Sequence, residues 1–167
     1  MHLLITAVPG AGKTTAIRRL AEQVDAWCGF YTEEIRRSGE RQGFRLIAHD
    51  GTETVIAHVN LPKAARVGKY GVDVEAMDRA AKEALAPRRG VKLYLVDEIG
   101  KMECLSAVFI SRLRAILDGR ATLVATVAQR GEGFIAAVKR RRDCELWTLD
   151  RANRDTMPQR ILNWLAA

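Results

Sequence analysis

The sequence predicts an α/β fold: a mostly parallel sheet covered by helices on both faces, with an antiparallel β-meander inserted at about residues 29–60. Three observations lead there. Strand-length apolar runs alternate with amphipathic helical patterns along most of the chain. Two of those runs, Leu93-Tyr94-Leu95-Val96 and Leu123-Val124-Ala125-Thr126-Val127, are apolar on both faces, as strands buried between two helical layers must be. Between residues 29 and 60 the runs are joined only by turn residues, Ser38-Gly39-Glu40-Arg41 and Asp50-Gly51, with no helix between them.

In chain order, the strand-like runs fall at residues 2–8, 29–37, 43–49, 54–59, 91–96, 122–127 and 144–149. After the first run, Ala16, Ile17, Leu20, Ala21 and Val24 share one helical face, with Arg18, Arg19, Glu22 and Gln23 outside it. Similar apolar faces comprise Val74, Met77, Ala81 and Leu85, then Leu105, Val108, Phe109, Leu113 and Ile116, and finally Ile161, Leu162 and Leu165 beyond Pro158. A shorter helix is expected at Phe134-Ile135-Ala136-Ala137-Val138.

The chain has 167 residues, 48% hydrophobic and 28% charged, which suits one globular domain spanning residues 1–167 and excludes disordered and collagen-like classes. A chain of this size buries about 70% of its unfolded surface, enough for a core without disulfides. No stretch approaches the roughly 20 apolar residues of a membrane span, and Leu3-Leu4-Ile5 lacks the flanks of a secretory signal. A cytoplasmic monomer with no membrane partner is expected. Cys28, Cys104 and Cys144 have no metal-ligand or redox spacing and read as core thiols, and His2, His49 and His58 form no ligand set.

The 27 Lys+Arg exceed the 20 Asp+Glu, giving a net charge of +7. The densest run, Lys139-Arg140-Arg141-Arg142, ends the short helix, where cations complement the C-terminal dipole. Neither it nor Arg88-Arg89 is interleaved with aromatic residues as a base-stacking platform would be, so nucleic acid is not the expected partner.

Chemistry concentrates first at Ala7-Val8-Pro9-Gly10-Ala11-Gly12-Lys13-Thr14, which has P-loop spacing with Ala7 in place of the usual first glycine. A buried strand precedes it and an amphipathic helix follows, so the backbone N–H groups from Gly10 to Thr15 can turn around phosphate oxygens. Lys13 then reaches the β- and γ-phosphates, and the Thr14 hydroxyl can serve Mg²⁺. The second constellation is Asp97-Glu98, two carboxylates ending a buried strand in the Walker B manner. Strand alternation points the pair to opposite sides, which assigns Asp97 to the metal and Glu98 to an attacking water.

With these residues in place, the chain resembles the THEP-type nucleoside triphosphatases, small P-loop NTPases. The likeness is carried by Gly29-Phe30-Tyr31-Thr32-Glu33-Glu34-Ile35-Arg36, by Val67-Gly68-Lys69-Tyr70-Gly71-Val72, by Asp97-Glu98-Ile99-Gly100-Lys101-Met102-Glu103 and by Asn153-Arg154. The resemblance implies Mg²⁺-dependent hydrolysis of nucleoside triphosphates with broad base specificity. It also implies a sheet in which another strand separates the P-loop strand from the Asp97 strand. The expected nucleotide-binding set is Ala7 to Thr15 with Asn153 and Arg154, the metal residues are Thr14 and Asp97, and the catalytic residues are Lys13 and Glu98.

Several residues stay open as alternatives. Only one of Glu33 and Glu34 can face the nucleotide, and Lys101 and Glu103 lie where they could act on the γ-phosphate or merely stabilise a helix start. Arg130 is the first candidate for an arginine finger, ahead of Arg66 and Arg154. Asn153 could touch a base or simply shape the approach to the last helix. The same loop also serves nucleotide and small-molecule kinases, an alternative kept open by Arg36, Arg41 and Arg66, and the net charge leaves room for a nucleotide-gated binding module.

Overall fold

The computed structural model describes all 167 residues. The strands are β1 (His2–Thr6), β2 (Cys28–Arg37), β3 (Glu40–Ala48), β4 (Glu53–His58), β5 (Arg66–Val67), β6 (Tyr70–Val72), β7 (Leu93–Ile99), β8 (Thr122–Val127) and β9 (Cys144–Thr148). The helices are α1 (Lys13–Ala21), α2 (Val74–Ala84), α3 (Ala107–Leu117), α4 (Phe134–Lys139) and α5 (Met157–Ala166). All nine strands form one sheet, ordered β5-β6-β4-β3-β2-β7-β8-β1-β9. From β2 to β9 the neighbours pair in parallel. On the other side of β2, the strands β3, β4, β6 and β5 continue antiparallel. The predicted α/β class is therefore the observed one, and β8 lies between β1 and β7 as the resemblance implies.

Alternation along β1 explains how two helical layers share one sheet. Leu3 and Ile5 enter a cluster with Ile17 and Leu20 of α1 and Met157 and Ile161 of α5. Leu4 points the other way, to a larger cluster with Met77 of α2, Phe109 and Leu113 of α3, and Ile135 and Val138 of α4. The helices start where side chains replace missing intrahelical partners. Asp73 accepts from the Ala76 N–H at 2.9 Å and Ser106 from the Phe109 N–H at 3.0 Å, ordinary N-caps worth about 1 kcal/mol each.

Three features depart from the sequence reading. Strands β5 and β6 lie at residues 66–72, where none is expected, so the antiparallel part runs past residue 60. At two and three residues they are too short to show a period, and tertiary contact makes them: a Cβ on Gly71 would sit 2.4 Å from the Leu61 carbonyl oxygen. Leu105 lies in a 3-10 turn (Glu103–Leu105) rather than on the α3 face, and it is exposed. Val24 lies beyond the end of α1.

Two polar residues fasten the end of the sheet opposite the acids. His2 is buried; its Nδ1 accepts from the Leu123 N–H at 3.1 Å, and Nε2 lies 3.0 Å from the Leu117 carbonyl oxygen. Burial holds its pKa below the usual histidine value. From the basic run, Arg141 bonds Asp143 at 2.7 Å and Asp118 at 2.9 Å, tying α3 to the start of β9, while Lys139 donates to the Gln129 carbonyl at 2.9 Å. All three cysteines are free thiols. No helix is long and apolar enough to cross a membrane.

Candidate functional site

The loop between β1 and α1 is built to expose backbone. Gly10 and Gly12 have φ of +79° and +111°, values that L side chains rarely adopt, and nothing lies within 4 Å of a Cβ built on Gly10. Gly12 caps α1 with no side-chain hydrogen bond, and the first turn carries no acidic residue. The N-terminal amides of α1 therefore keep their donors and the positive end of the helix dipole for an anion.

Asp97 is the hub of the site and is 1% exposed. Its Oδ2 accepts from the Thr14 hydroxyl at 2.7 Å and from the Thr32 hydroxyl and N–H at 3.1 and 3.3 Å. Its Oδ1 accepts from the Thr126 hydroxyl at 2.7 Å. A buried carboxylate is costly unless hydrogen-bonded, and charge-assisted bonds from α1, β2 and β8 meet that requirement here. Thr126 shows only as a polar residue within the apolar run Leu123–Val127, and neither it nor Thr32 is singled out by the sequence reading. Thr32 also settles which face of β2 looks toward the P-loop: the one shared with Glu34 and Arg36.

Glu98 makes an ion pair with Lys13, Oε2 to Nζ 2.8 Å. The expectation that Asp97 and Glu98 point to opposite sides is corrected, because both line one cleft. Strand alternation fails at this point: the β7–β8 register shifts between Val96 and Ile99.

That cleft has a volume of about 740 Å³ and runs from the P-loop, with Pro9, Gly10, Gly12, Lys13, Thr14 and Thr15, across Asp97 and Glu98 to the meander. On the meander side, the Glu34 carboxylate is held by Arg36 at 2.7 Å and Arg41 at 2.6 Å, and Arg41 lies over the Phe44 ring. Glu33 also borders the cleft, but its carboxylate turns to Arg45 at 3.7 Å. The rim carries Lys101, Met102, Glu103 and Arg130. Glu103 is buried, and burial together with the negative charge of Glu98 pushes its carboxyl up to about 8.

The remaining expected residues divide by place. Ala7 and Ala11 pack into the core beneath the loop, and Val8 is exposed with its carbonyl accepting from the Ala11 N–H at 3.2 Å; none of the three lines the cleft. Asn153 and Arg154 lie outside the lining as well. The Asn153 amide bonds the Asp150 N–H and the Thr148 carbonyl at 2.9 Å each, shaping the turn before α5, and the Arg154 stem lies 3.5 Å from a Cβ built on Gly12. Among the arginine candidates, Arg130 borders the cleft, while Arg66 and Arg154 do not.

Known proteins resemble the chain along nearly all of its length. A protein family described as NTPase matches residues 2–162. The chain is similar to a nucleoside-triphosphatase THEP1 from Thermotoga sp. (strain RQ2), 39% identical over 166 residues that cover 99% of this chain and 95% of the relative. Among solved structures, it is similar to the crystal structure of THEP1 from the hyperthermophile Aquifex aeolicus, with a TM-score of 0.84 at 34% identity over 100% of both chains. It is also similar to the solution structure of a human cancer-related nucleoside triphosphatase, with a TM-score of 0.82 at 30% identity over 98% of this chain and 96% of that one.

Proposed function

The chain belongs to the NTPase family, and from that membership we propose that it hydrolyses nucleoside 5'-triphosphates to diphosphate and phosphate, with Mg²⁺ and with little choice among bases. The observation that carries the reading is the meeting of Lys13 with Glu98 at 2.8 Å, beside Thr14 bonded to Asp97 at 2.7 Å. One cation, one hydroxyl and two carboxylates thus converge where the P-loop amides open. That is the set a phosphoryl transfer to water needs, since such catalysis is mostly positioning and charge stabilisation.

The residues fit a magnesium ion. Mg²⁺ takes oxygen ligands and keeps several waters, so it needs only one or two protein oxygens beside the substrate phosphates; Thr14 Oγ1 and Asp97 supply hard oxygens already in contact. When bound, the ion neutralises charge on the β- and γ-phosphate oxygens. The chain's own residues do the rest. P-loop amides and Lys13 bind the phosphates. Because one ammonium cannot serve Glu98 and phosphate equally, substrate draws Lys13 away and leaves the Glu98 carboxylate free to orient and deprotonate water. Arg130 at the rim is the candidate to meet charge on the leaving phosphate. The turn-bound amide of Asn153 leaves little that reads one base, which supports broad specificity.

Phosphate release from ATP, GTP, CTP and UTP, with and without candidate acceptors, tests the reading. The four kcat/KM values are expected within about tenfold, roughly 1.4 kcal/mol of discrimination; a thousandfold preference, or turnover only with an acceptor, contradicts it. Asp97→Asn is expected to raise the Mg²⁺ requirement and weaken Mg·NTP binding. Glu98→Gln keeps that affinity and loses about 10²-fold or more in kcat.

A further inference from the structure

Of the acidic groups of the cleft that the proposed chemistry does not use, Glu103 is the one with no side-chain partner, since Glu33 and Glu34 are paired with arginines. It is 6% exposed, yet it borders the cleft and makes no ion pair, whereas Glu98 has Lys13, and Glu34 has Arg36 and Arg41. What faces it is another carboxylate. A Cβ built on Gly100 would lie 2.9 Å from Glu103 Oε2 and 2.9 Å from Glu98 Oε1. At most twice that distance therefore separates the two oxygens, and only the bare glycine stands between them. Two carboxylates this close in a buried setting do not both ionise freely; the more buried one holds its proton.

We infer that Glu103 acts as a neutral carboxylic acid which positions Glu98, donating a hydrogen bond toward Glu98 Oε1 across Gly100, through one water where the gap requires it. The inference rests on the reading of Glu98 as the group that orients water. Glu98 has two oxygens and two tasks. Oε2 faces Lys13, and once substrate takes Lys13 away the carboxylate would be free to rotate. A donor at Oε1 fixes it with Oε2 directed at the phosphates. An ionised Glu103 cannot donate, and it places a second negative charge beside the base and the γ-phosphate. Burial and the charges of Glu98 and Asp97 from β7 oppose ionisation of Glu103 and outweigh the backbone N–H groups of Glu103 and Gly100, which favour it. Asp78 of α2 is occupied by the Ser106 hydroxyl, and the cations at hand are Lys13, spent on Glu98, and Lys101 and Arg130 at the rim. Its titration near pH 8 accords with the geometry.

The test is steady-state NTP hydrolysis at pH values about two units either side of 8, with folding of each variant checked by thermal melting at each pH. Glu103→Ala is expected to lower kcat by about tenfold with KM changed less than about threefold. Glu103→Gln, which is neutral and still donates, restores most of that loss. The parent's kcat falls above about pH 8, and Glu103→Gln lacks that fall. Gly100→Ala keeps both carboxylates but wedges between them; its near neighbours are flexible side-chain ends, so the fold is kept and kcat drops as in Glu103→Ala. The inference is overturned if Glu103→Ala matches the parent at every pH. It is equally overturned if kcat rises through pH 8 and Glu103→Gln is as inactive as Glu98→Gln, since Glu103 would then act as an ionised base. Failure of the underlying reading is distinct: Glu98→Gln would itself keep a near-normal kcat.

Discussion

Asp97 and Glu98 are neighbours in the chain whose surroundings differ. Asp97 is enclosed by three hydroxyls and an amide, so it is held in place. Glu98 is half-buried and tied only to a lysine that phosphate can recruit. Glu103 completes the series as an acid with no cation, and its raised pKa is also a statement about stability. The folded acid keeps its proton up to about 8, whereas the unfolded one loses it near the ordinary value of 4.5. Folding thus takes up a proton between those values, and stability falls as pH rises through that window, by up to about 1.4 kcal/mol per pH unit. Urea unfolding of the parent and of Glu103→Gln at pH 5 and pH 8 is expected to show this slope in the parent and its absence in the variant. Identical pH dependence in both would mean that Glu103 ionises like an exposed acid.

At the scale of elements, the site depends on how closely β2 approaches β7. Gly29 makes the approach possible: its φ is +117°, and a Cβ there would lie 1.9 Å from the Leu95 carbonyl oxygen. The parallel pairing Gly29↔Leu95 and Phe30↔Val96 then brings Thr32 within reach of Asp97. Gly29→Ala combines a backbone clash with a disfavoured φ, and is expected to cost about 3 kcal/mol or more. Chemical denaturation would show it, and a variant within about 0.5 kcal/mol of the parent would mean that the seam is looser than drawn. Glycine reads as a turn former in a sequence; which carbonyl it must admit appears only when the strands are paired. The same holds for β5 and β6, a hairpin too short to carry a period, which joins the sheet through the pairing of β6 with β4.

For the whole molecule, substrate binding and stability are linked. A ligand bound only by the folded chain stabilises it by about 2.7 kcal/mol at one hundred times its Kd. Mg·NTP is therefore expected to raise the melting temperature by several degrees. Lys13→Ala loses the pair with Glu98 and should melt somewhat below the parent without ligand, yet gain little from Mg·NTP. An equal ligand shift in both proteins would remove Lys13 from phosphate binding. The net charge of +7 has its structural outlets: Arg141 braces α3 and β9, and the cleft wall holds Arg36 and Arg41 against Glu34.

By itself the sequence determined the α/β class, the two-faced burial of the parallel strands, the glycine-rich loop between β1 and α1 and the acids at the end of β7. Each of these is a local signal, because hydrophobic period, glycine spacing and strand-terminal charge can be read within a dozen residues. Only the tertiary structure decided what those residues meet. Period 2 sets Asp97 and Glu98 on opposite sides, whereas both line one cleft, at the point where the β7–β8 register is irregular. Thr32 and Thr126 became partners of Asp97 because β2 and β8 flank β7. Asn153, legible as a base contact or as a turn former, has its amide bonded within the turn. Glu103 sits beside Glu98 because Gly100 leaves room for it. The threonine contacts join segments far apart in the chain, and the contacts of Asn153 and Glu103 lie in turns outside regular pairing, so no periodicity carries the information and packing selects the partner.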